Sequence, residues 1–250
     1  MIPKIIHYCW FGNKPFPSHI RQCIDSWKEK LPSYSFFLWN ELNSPVDHPF
    51  CKTALRSKKY AFAADYVRLY ALDAYGGVYL DTDMILVKTL DGLLDCDFFI
   101  GEEVRGRFGF GIVGSVKNSP IIKSFLQYYD SKTYNPESPP VITQVLTELF
   151  GEIKTTVPDE LDLRIYSPEH FYPMPFEAKT QNFKAFLQKE TIAIHLWNHS
   201  WKREEEYIHD GEFYKAFKTC LTTLRYIKSY RTSRSYYSGL AKAVVRRLLK

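Results

Sequence analysis

The chain has 250 residues, of which 45% are apolar and 16% aromatic, and a formal net charge of +5. That length suits one large domain, or a domain with a small appendage, and the apolar content supports a substantial core. No stretch approaches the roughly 20 consecutive apolar residues of a membrane span, and the opening MIPKIIHYCWFG lacks the basic and then uninterrupted apolar run of a secretory signal. Five cysteines (Cys9, Cys23, Cys51, Cys96 and Cys220) include no CxxC pair. An odd number with that spacing argues against a disulfide framework and a cysteine-based zinc site, so a reducing, cytoplasmic location is expected. The charge is unevenly spread. Ten of the 33 Lys and Arg, and none of the 28 Asp and Glu, lie from Phe213 to Lys250, which leaves the first 212 residues with 23 basic and 28 acidic side chains. A mildly acidic body, 1–212, and a basic tail, 213–250, imply two surfaces with different partners.

In chain order, KIIHYCW (4–10) is β-branched and aromatic and predicts a short buried strand ending at Gly12. Residues 17–32 place Ile20, Ile24, Trp27 and Leu31 at helical spacing and stop before Pro32. YSFFLWN (34–40) predicts a second strand. Residues 58–77 predict a helix stopped by the Gly76-Gly77 pair. VYLDTD (78–83) follows as a strand, then CDFFIG (96–101) and FGIVGSV (110–116). Two helices are predicted over 119–130 and 140–151, the second ending at Gly151. The pattern loosens after Tyr166 until TIAIHLW (191–197) gives one more strand, and 206–227 is helical with a break at Gly211. There is no repeat and no low-complexity linker. Strands alternating with helices indicate an α/β domain on a mostly parallel sheet. In such sheets ligands gather beyond the carboxyl ends of the strands, where Asp81 and Asp83 fall.

Residues i and i+2 of a strand project from one face, so Asp81 and Asp83 can converge on one point. Two carboxylates that close repel unless a cation lies between them or solvent separates them. Their hard oxygens suit Mg²⁺ or Mn²⁺, which accept one or two carboxylates and leave positions for phosphate oxygens and water. An isolated DxD is more often a solvated turn; here it follows helix, glycine pair and apolar strand as RLYALDAYGGVYLDTD. Asp65 and Arg68, three apart, share a helix face. That spacing equally describes a surface ion pair.

Three stretches, IPKIIHYCWFG, AADYVRLYALDAYGGVYLDTD and HLWNHSW, together resemble glycosyltransferase family 32 over residues 2–201. These are DXD-containing sugar transferases related to yeast mannosyltransferases and bacterial capsule enzymes, and the large clostridial glucosylating toxins share their core. The resemblance implies a GT-A fold, a nucleotide-sugar donor, a divalent metal and retention of anomeric configuration. It assigns Asp83 as direct metal ligand and Asp81 to the ribose and, through water, to the metal. Asp65 is assigned to the sugar hydroxyls and Arg68 to the sugar or phosphates. His7, Trp10 and Gly12 fall where the nucleotide should lie: Trp10 would stack on the base or belong to the core, Gly12 would admit the ligand to the backbone, and a histidine like His7 is more often a satisfied core residue. His195 or Asn198 completes the metal shell, and Ser200, Trp201 and Lys202 close over the diphosphate, Trp201 as a lid; His199 reads as a loop residue. No carboxylate stands out as a nucleophile. Glu102 and Glu103 lie on the acceptor side and read first as solvated acids, so a front-side displacement is expected, resting on positioning and charge. Two features depart from the family: Pro139 replaces the usual glycine in SPPVITQ, and EEVRGRFGFGIVGS matches a variable acceptor loop.

The tail end GLAKAVVRRLLK sorts at helical spacing into an apolar half (Leu240, Ala241, Val244, Val245, Leu248, Leu249) and a basic half (Lys242, Arg246, Arg247, Lys250). Such a helix suits an anionic membrane surface, or it docks its apolar half on protein. A peripheral location on the inner face of the cell membrane is expected, with a lipid-linked glycan as acceptor and a capsule or surface-polysaccharide pathway as setting. No nucleic-acid-binding fold accompanies the basic residues, so no such partner is expected. A UDP-sugar is favoured as donor because Trp10 resembles the uracil-stacking position of the toxin relatives, with GDP-mannose the alternative. A phosphatase reading of VYLDTDM is disfavoured, since that motif belongs near an N-terminus and here lies after residue 80. A non-enzymatic alternative is a membrane-associated glycan-binding scaffold on an inactive transferase fold.

Overall fold

The computed structural model describes residues 1–130, 132–136, 139–140, 142–153, 160–198, 204–209, 211–227 and 231–249. Strand β1 (Ile5–Cys9) leads through helix α1 (Ser18–Lys30) to strand β2 (Ser35–Trp39), which pairs parallel with it. Helices α2 (Pro49–Arg56) and α3 (Tyr60–Tyr75) carry the chain to β3 (Gly77–Leu80), parallel to β1 on its other side. A short β4 (Met84–Leu86) leaves this sheet. The hairpin β5 (Phe98–Val104) and β6 (Arg107–Ser115) returns to it, followed by helices α4 (Pro120–Asp130) and α5 (Ile142–Ile153). Strand β7 (Leu163–Tyr166), one turn of helix α6 (Pro168–Phe171) and strand β8 (Ala193–His195) come next, then helices α7 (Glu204–His209), α8 (Phe213–Tyr226) and α9 (Arg234–Leu248). The sheet order is β2-β1-β3-β6-β5-β7, and only β6 runs against its neighbours. The expected α/β class on a mostly parallel sheet is the one observed.

Side-chain alternation divides the core between the two faces of the sheet. Val78 and Leu80 join α1, β4 and β8 on one side, while Tyr79 joins α2, α3, α4 and α5 on the other. Helix α3 is buried on nearly every side, with Ala63, Ala64, Val67, Leu69, Ala71 and Leu72 all inside. A helix so apolar all round belongs in a core rather than at a surface. It ends because Gly76 takes φ +64°, and a Cβ there would stand 2.6 Å from the Lys117 main-chain nitrogen.

One reading needs correction, three elements go unread in the sequence, and the break expected at Gly211 is present. Helix α2 and strands β4 and β7 have too few periodic residues to stand out in the sequence. The strand expected over 78–83 stops at Leu80, and Asp81–Asp83 form a turn closed by Met84 N–H donating to the Asp81 carbonyl, 3.0 Å. The aspartates therefore converge through a tight turn between two sheets, not through the pleat of one strand. The break at Gly211 separates α7 from α8.

Candidate active site

The carboxyl ends of the parallel strands β1 and β3 open onto one edge of the sheet, and the Asp81–Asp83 turn lies there. Strand β8 lies antiparallel to β4, with Met84 opposite His195, which brings His195 across from the turn. One ligand atom each of Asp81, Asp83 and His195 lie within 4.8 Å of one another. Asp83 is buried and uses both oxygens: Oδ1 is 3.1 Å from His195 Nε2, and Oδ2 accepts from the Asn198 N–H at 2.7 Å. Leu196 N–H also donates to the Asp83 carbonyl, 3.0 Å. Burial disfavours both ionised forms, yet each charge supports the other. Asp83 is held at about 2, the His195 charge and the Asn198 N–H outweighing desolvation. His195 is raised, with Asp83 as the main counterweight to burial.

Behind the turn lies Arg68, on α3. Its Nη2 is 2.9 Å from Asp65 Oδ1 and 3.4 Å from Asp81 Oδ1, and Nη1 donates to the Phe110 carbonyl at 2.9 Å. Its guanidinium carbon lies 4.5 Å from the centre of the Tyr79 ring, whose hydroxyl donates to Asp81 Oδ1 at 3.0 Å. Asp65 and Arg68 are both buried, so they are not a helix-surface pair. Burial pushes Asp65 up to about 7 against the opposing Arg68 charge, and the Asp81 charge adds to the rise. Among these three carboxylates the one permanent cation, Arg68, is shared by Asp65 and Asp81, while Asp83 is paired with His195. That surplus of negative charge, with hard oxygens and one imidazole converging, fits a divalent metal such as Mg²⁺ or Mn²⁺.

Of the residues expected to meet the nucleotide, Trp10 follows the carboxyl end of β1. It is half-buried, packs its ring 4.9 Å from Phe16 and donates Nε1–H to the Lys14 carbonyl at 2.6 Å. Gly12 has φ +93°, and a Cβ would press on the Tyr60 ring at 2.7 Å; its N–H donates to Glu41 Oε1 at 2.7 Å. His7 must be corrected. It is wholly buried under the sheet, with Nε2 2.8 Å from the Gly76 carbonyl and Nδ1 accepting from Trp39 Nε1 at 3.1 Å, so neither ring nitrogen is left for a donor. Burial lowers its pKa, which keeps it neutral. Asn198 reaches the turn through its main-chain N–H, while its side chain is exposed. His199, Ser200, Trp201 and Lys202 lie outside the described residues.

One residue of the site, Tyr172, has no counterpart among the residues expected from the sequence. Tyr172 is buried between the hairpin and the turn, and its hydroxyl accepts from the Gly111 and Ile112 N–H groups at 3.0 and 3.3 Å. The Gly111 carbonyl in turn accepts from the Asp81 N–H at 2.7 Å, so Tyr172 fixes the peptide that holds the turn. The legible signal was the run of glycines in GRFGFGIVG. A Cβ at Gly109 would stand 2.5 Å from Tyr172 Cζ, and one at Gly101 would stand 2.4 Å from the Phe171 ring. The two acids expected on the acceptor side differ from each other. Glu102 caps the hairpin through the Gly106 N–H at 2.9 Å, whereas Glu103 is mostly buried, pairs with Arg107 at 3.3 Å and adds its charge to those raising His195. Tyr172→Phe is expected to leave the Gly111 N–H without its partner and cost about 1–3 kcal/mol. Thermal denaturation of the two proteins checks this, and equal midpoints would mean that the hydroxyl contributes nothing.

The α/β fold and the acidic turn accord with the resemblance to sugar transferases of the DXD type. Residues 17–99 match the glycosyltransferase sugar-binding region containing the DXD motif, and 118–227 match the alpha 1,4-glycosyltransferase conserved region. Over these two regions the chain is similar to the DXD-containing glycosyltransferases. It is 30% identical over 148 residues to mannosyl phosphorylinositol ceramide synthase CSH1 of Saccharomyces cerevisiae, covering 54% of this chain and 38% of that protein. It is 22% identical over 184 residues to alpha-1,4-N-acetylglucosaminyltransferase of Homo sapiens, covering 68% and 49%. The chain therefore spans less than half the length of either relative. Among solved structures, a glycosyltransferase involved in glycosylation of the major capsid of PBCV-1 superposes with a TM-score of 0.49 and 13% identity, over 80% of this chain and 95% of that one.

Proposed function

We propose that the protein is a metal-dependent, retaining hexosyltransferase of GT-A type that moves a sugar from a nucleotide-sugar donor to a lipid-linked glycan. The observation that carries this reading is the convergence of Asp81, Asp83 and His195 beside the buried Asp65–Arg68 pair. Asp83, Asp81 and His195 would hold the cation, with the Asn198 N–H orienting Asp83. When bound, that cation supplies positive charge to the leaving nucleoside diphosphate. Arg68, locked by two carboxylates, keeps Asp65 and Asp81 in fixed rotamers, so donor hydroxyls meet acceptors that need no reorganisation. In a front-side displacement the bond from the anomeric carbon to the phosphate oxygen breaks. The bond to the acceptor oxygen forms on the same face, and the acceptor proton passes to the departing phosphate. The site needs no carboxylate nucleophile for this, and Glu103 on the hairpin lies on the side left for the acceptor.

Trp10, at the carboxyl end of β1, supports a UDP-sugar. A second donor, GDP-mannose, is favoured by the likeness to a mannosyl-transferring synthase, whose ceramide product also supports a lipid-borne acceptor. Placement in bacterial surface-polysaccharide or capsule synthesis rests on the sequence resemblance alone. The test incubates purified protein with a panel of UDP- and GDP-sugars, with Mn²⁺ or with a chelator, and reads nucleoside diphosphate release and, by calorimetry, nucleotide binding. Release of one diphosphate only with metal supports the reading and names the donor. Absence of both release and metal-dependent nucleotide binding would leave a non-enzymatic scaffold and overturn it.

A further inference from the structure

Helix α8 buries Ala216 and Thr223 and half-buries Cys220. Flanking that stripe on one side are Phe213, Phe217 and Leu221 at i, i+4 and i+8, exposed to 51%, 63% and 55%. Three large apolar side chains in line along one helix face, each more than half in water, exceed the scattered exposure usual for a monomer surface. Helix α9 ends in a similar state. Of the apolar half expected from its sequence, Leu240 packs on the small cluster of Ile227 and Tyr236, but Val245, Leu248 and Leu249 are 55%, 77% and 82% exposed. The tail's own small cluster thus takes up only the start of that half and leaves its end uncovered.

Charge decides what covers these faces. Lys215, Lys218 and Arg225 interleave with the α8 row, and Lys242, Arg246 and Arg247 with the α9 end; from Phe213 onward the sequence holds no acid. An apolar row with cations along one side, Lys215 among them paired with Glu212 at the start of α8, complements a surface that offers hydrocarbon just beneath anionic phosphates. An acidic protein would meet the cations but would leave the phenylalanine row without an apolar counterpart of matching length.

We propose that α8 and α9 together form a docking surface for an anionic phospholipid bilayer, with Phe213, Phe217 and Leu221 inserted among the lipids and the cations at the headgroups. The row on α8 is the new element, for the sequence pointed only to α9. This goes beyond the transferase reading and does not depend on it, because lipid binding is measured without donor or metal.

The test is co-sedimentation of the full chain with phosphatidylcholine vesicles with or without phosphatidylserine, beside F217S/L221S and K218E/K242E. Circular dichroism and the thermal midpoint of each variant serve as the check on folding. The expected result is binding that requires phosphatidylserine, weakened roughly tenfold or more by either pair of substitutions. Wild-type protein that stays in the supernatant would overturn the proposal, as would vesicle binding that F217S/L221S leaves unchanged. Elution as a dimer that F217S/L221S converts to monomer would assign the row to a second copy of the chain and would also overturn it.

Discussion

Asp83→Ala is expected to lower metal-dependent release of nucleoside diphosphate by about a thousandfold while the protein remains folded. Asp83 is the one carboxylate of the turn whose two oxygens are both engaged, with His195 Nε2 at 3.1 Å and the Asn198 N–H at 2.7 Å. Its loss removes a ligand and unfastens the segment that carries His195. The control is calorimetric titration with Mn²⁺ alone; a variant that still binds the ion as tightly as wild type would show that the cation lies elsewhere. The pH dependence has a definite sign. Asp83, held at about 2, is ionised across the working range, whereas His195 is raised and must lose its proton to ligate. Mn²⁺ affinity should therefore climb with pH above about 6.5, as the raised imidazolium gives up its proton. A flat profile would remove His195 from the ligand set. The metal-free fold responds in the opposite sense. The depressed Asp83 pKa stabilises it above about pH 4, and the raised His195 pKa does so below about pH 6.5, so the pair contributes most between these values.

Arg68→Met should cost about 3–5 kcal/mol of stability, the usual penalty for removing one partner of a buried charge cluster. The guanidinium is enclosed and serves Asp65, Asp81 and the Phe110 carbonyl at once, with Tyr79 against its face. Without it, Asp65 and Asp81 confront each other uncompensated, and at least one must take up a proton. At about 2–4 °C per kcal/mol for a chain of this size, the midpoint of thermal unfolding should drop by roughly 10 °C. Arg68→Lys should recover only part of this, since one ammonium cannot span two carboxylates and a carbonyl with fixed geometry. Adding Asp65→Asn to Arg68→Met should restore some stability by deleting a stranded charge, a coupling that a double-mutant cycle reads directly. Additive losses would mean that the two side chains do not act as a pair.

The central helix, its glycine stop and the strand before the acids were legible because each is written within about 20 residues by period or by punctuation. The burial of α3 is a consequence of the same string, since an apolar surface all round leaves no face for water. What misled was the last step. Reading 78–83 as one strand gave the right neighbours for the wrong reason, because the pleat ends at Leu80 and a turn brings Asp83 round. His7 shows the reverse case. Its sequence position beside the strand end suggests a ligand, but alternation along β1 sends it under the sheet to Gly76 and Trp39.

The sequence by itself determined the α/β alternation, the acidic motif placed after a buried strand, the Asp65–Arg68 pairing and the separation of an acidic body from a basic end. Only the tertiary structure decided that His195, 112 residues from Asp83, faces it, that Asn198 serves through its backbone, and that Tyr172 braces the turn through Gly111. It also decided that α8 leaves a row of aromatic and aliphatic side chains in water. The reason is physical. Local periodicity fixes which way a side chain points from its own element, whereas the meeting of β4 with β8, and of hairpin glycines with an aromatic ring, depends on long-range pairing. Such pairing is selected by the packing of the whole core, and no short stretch of residues encodes it.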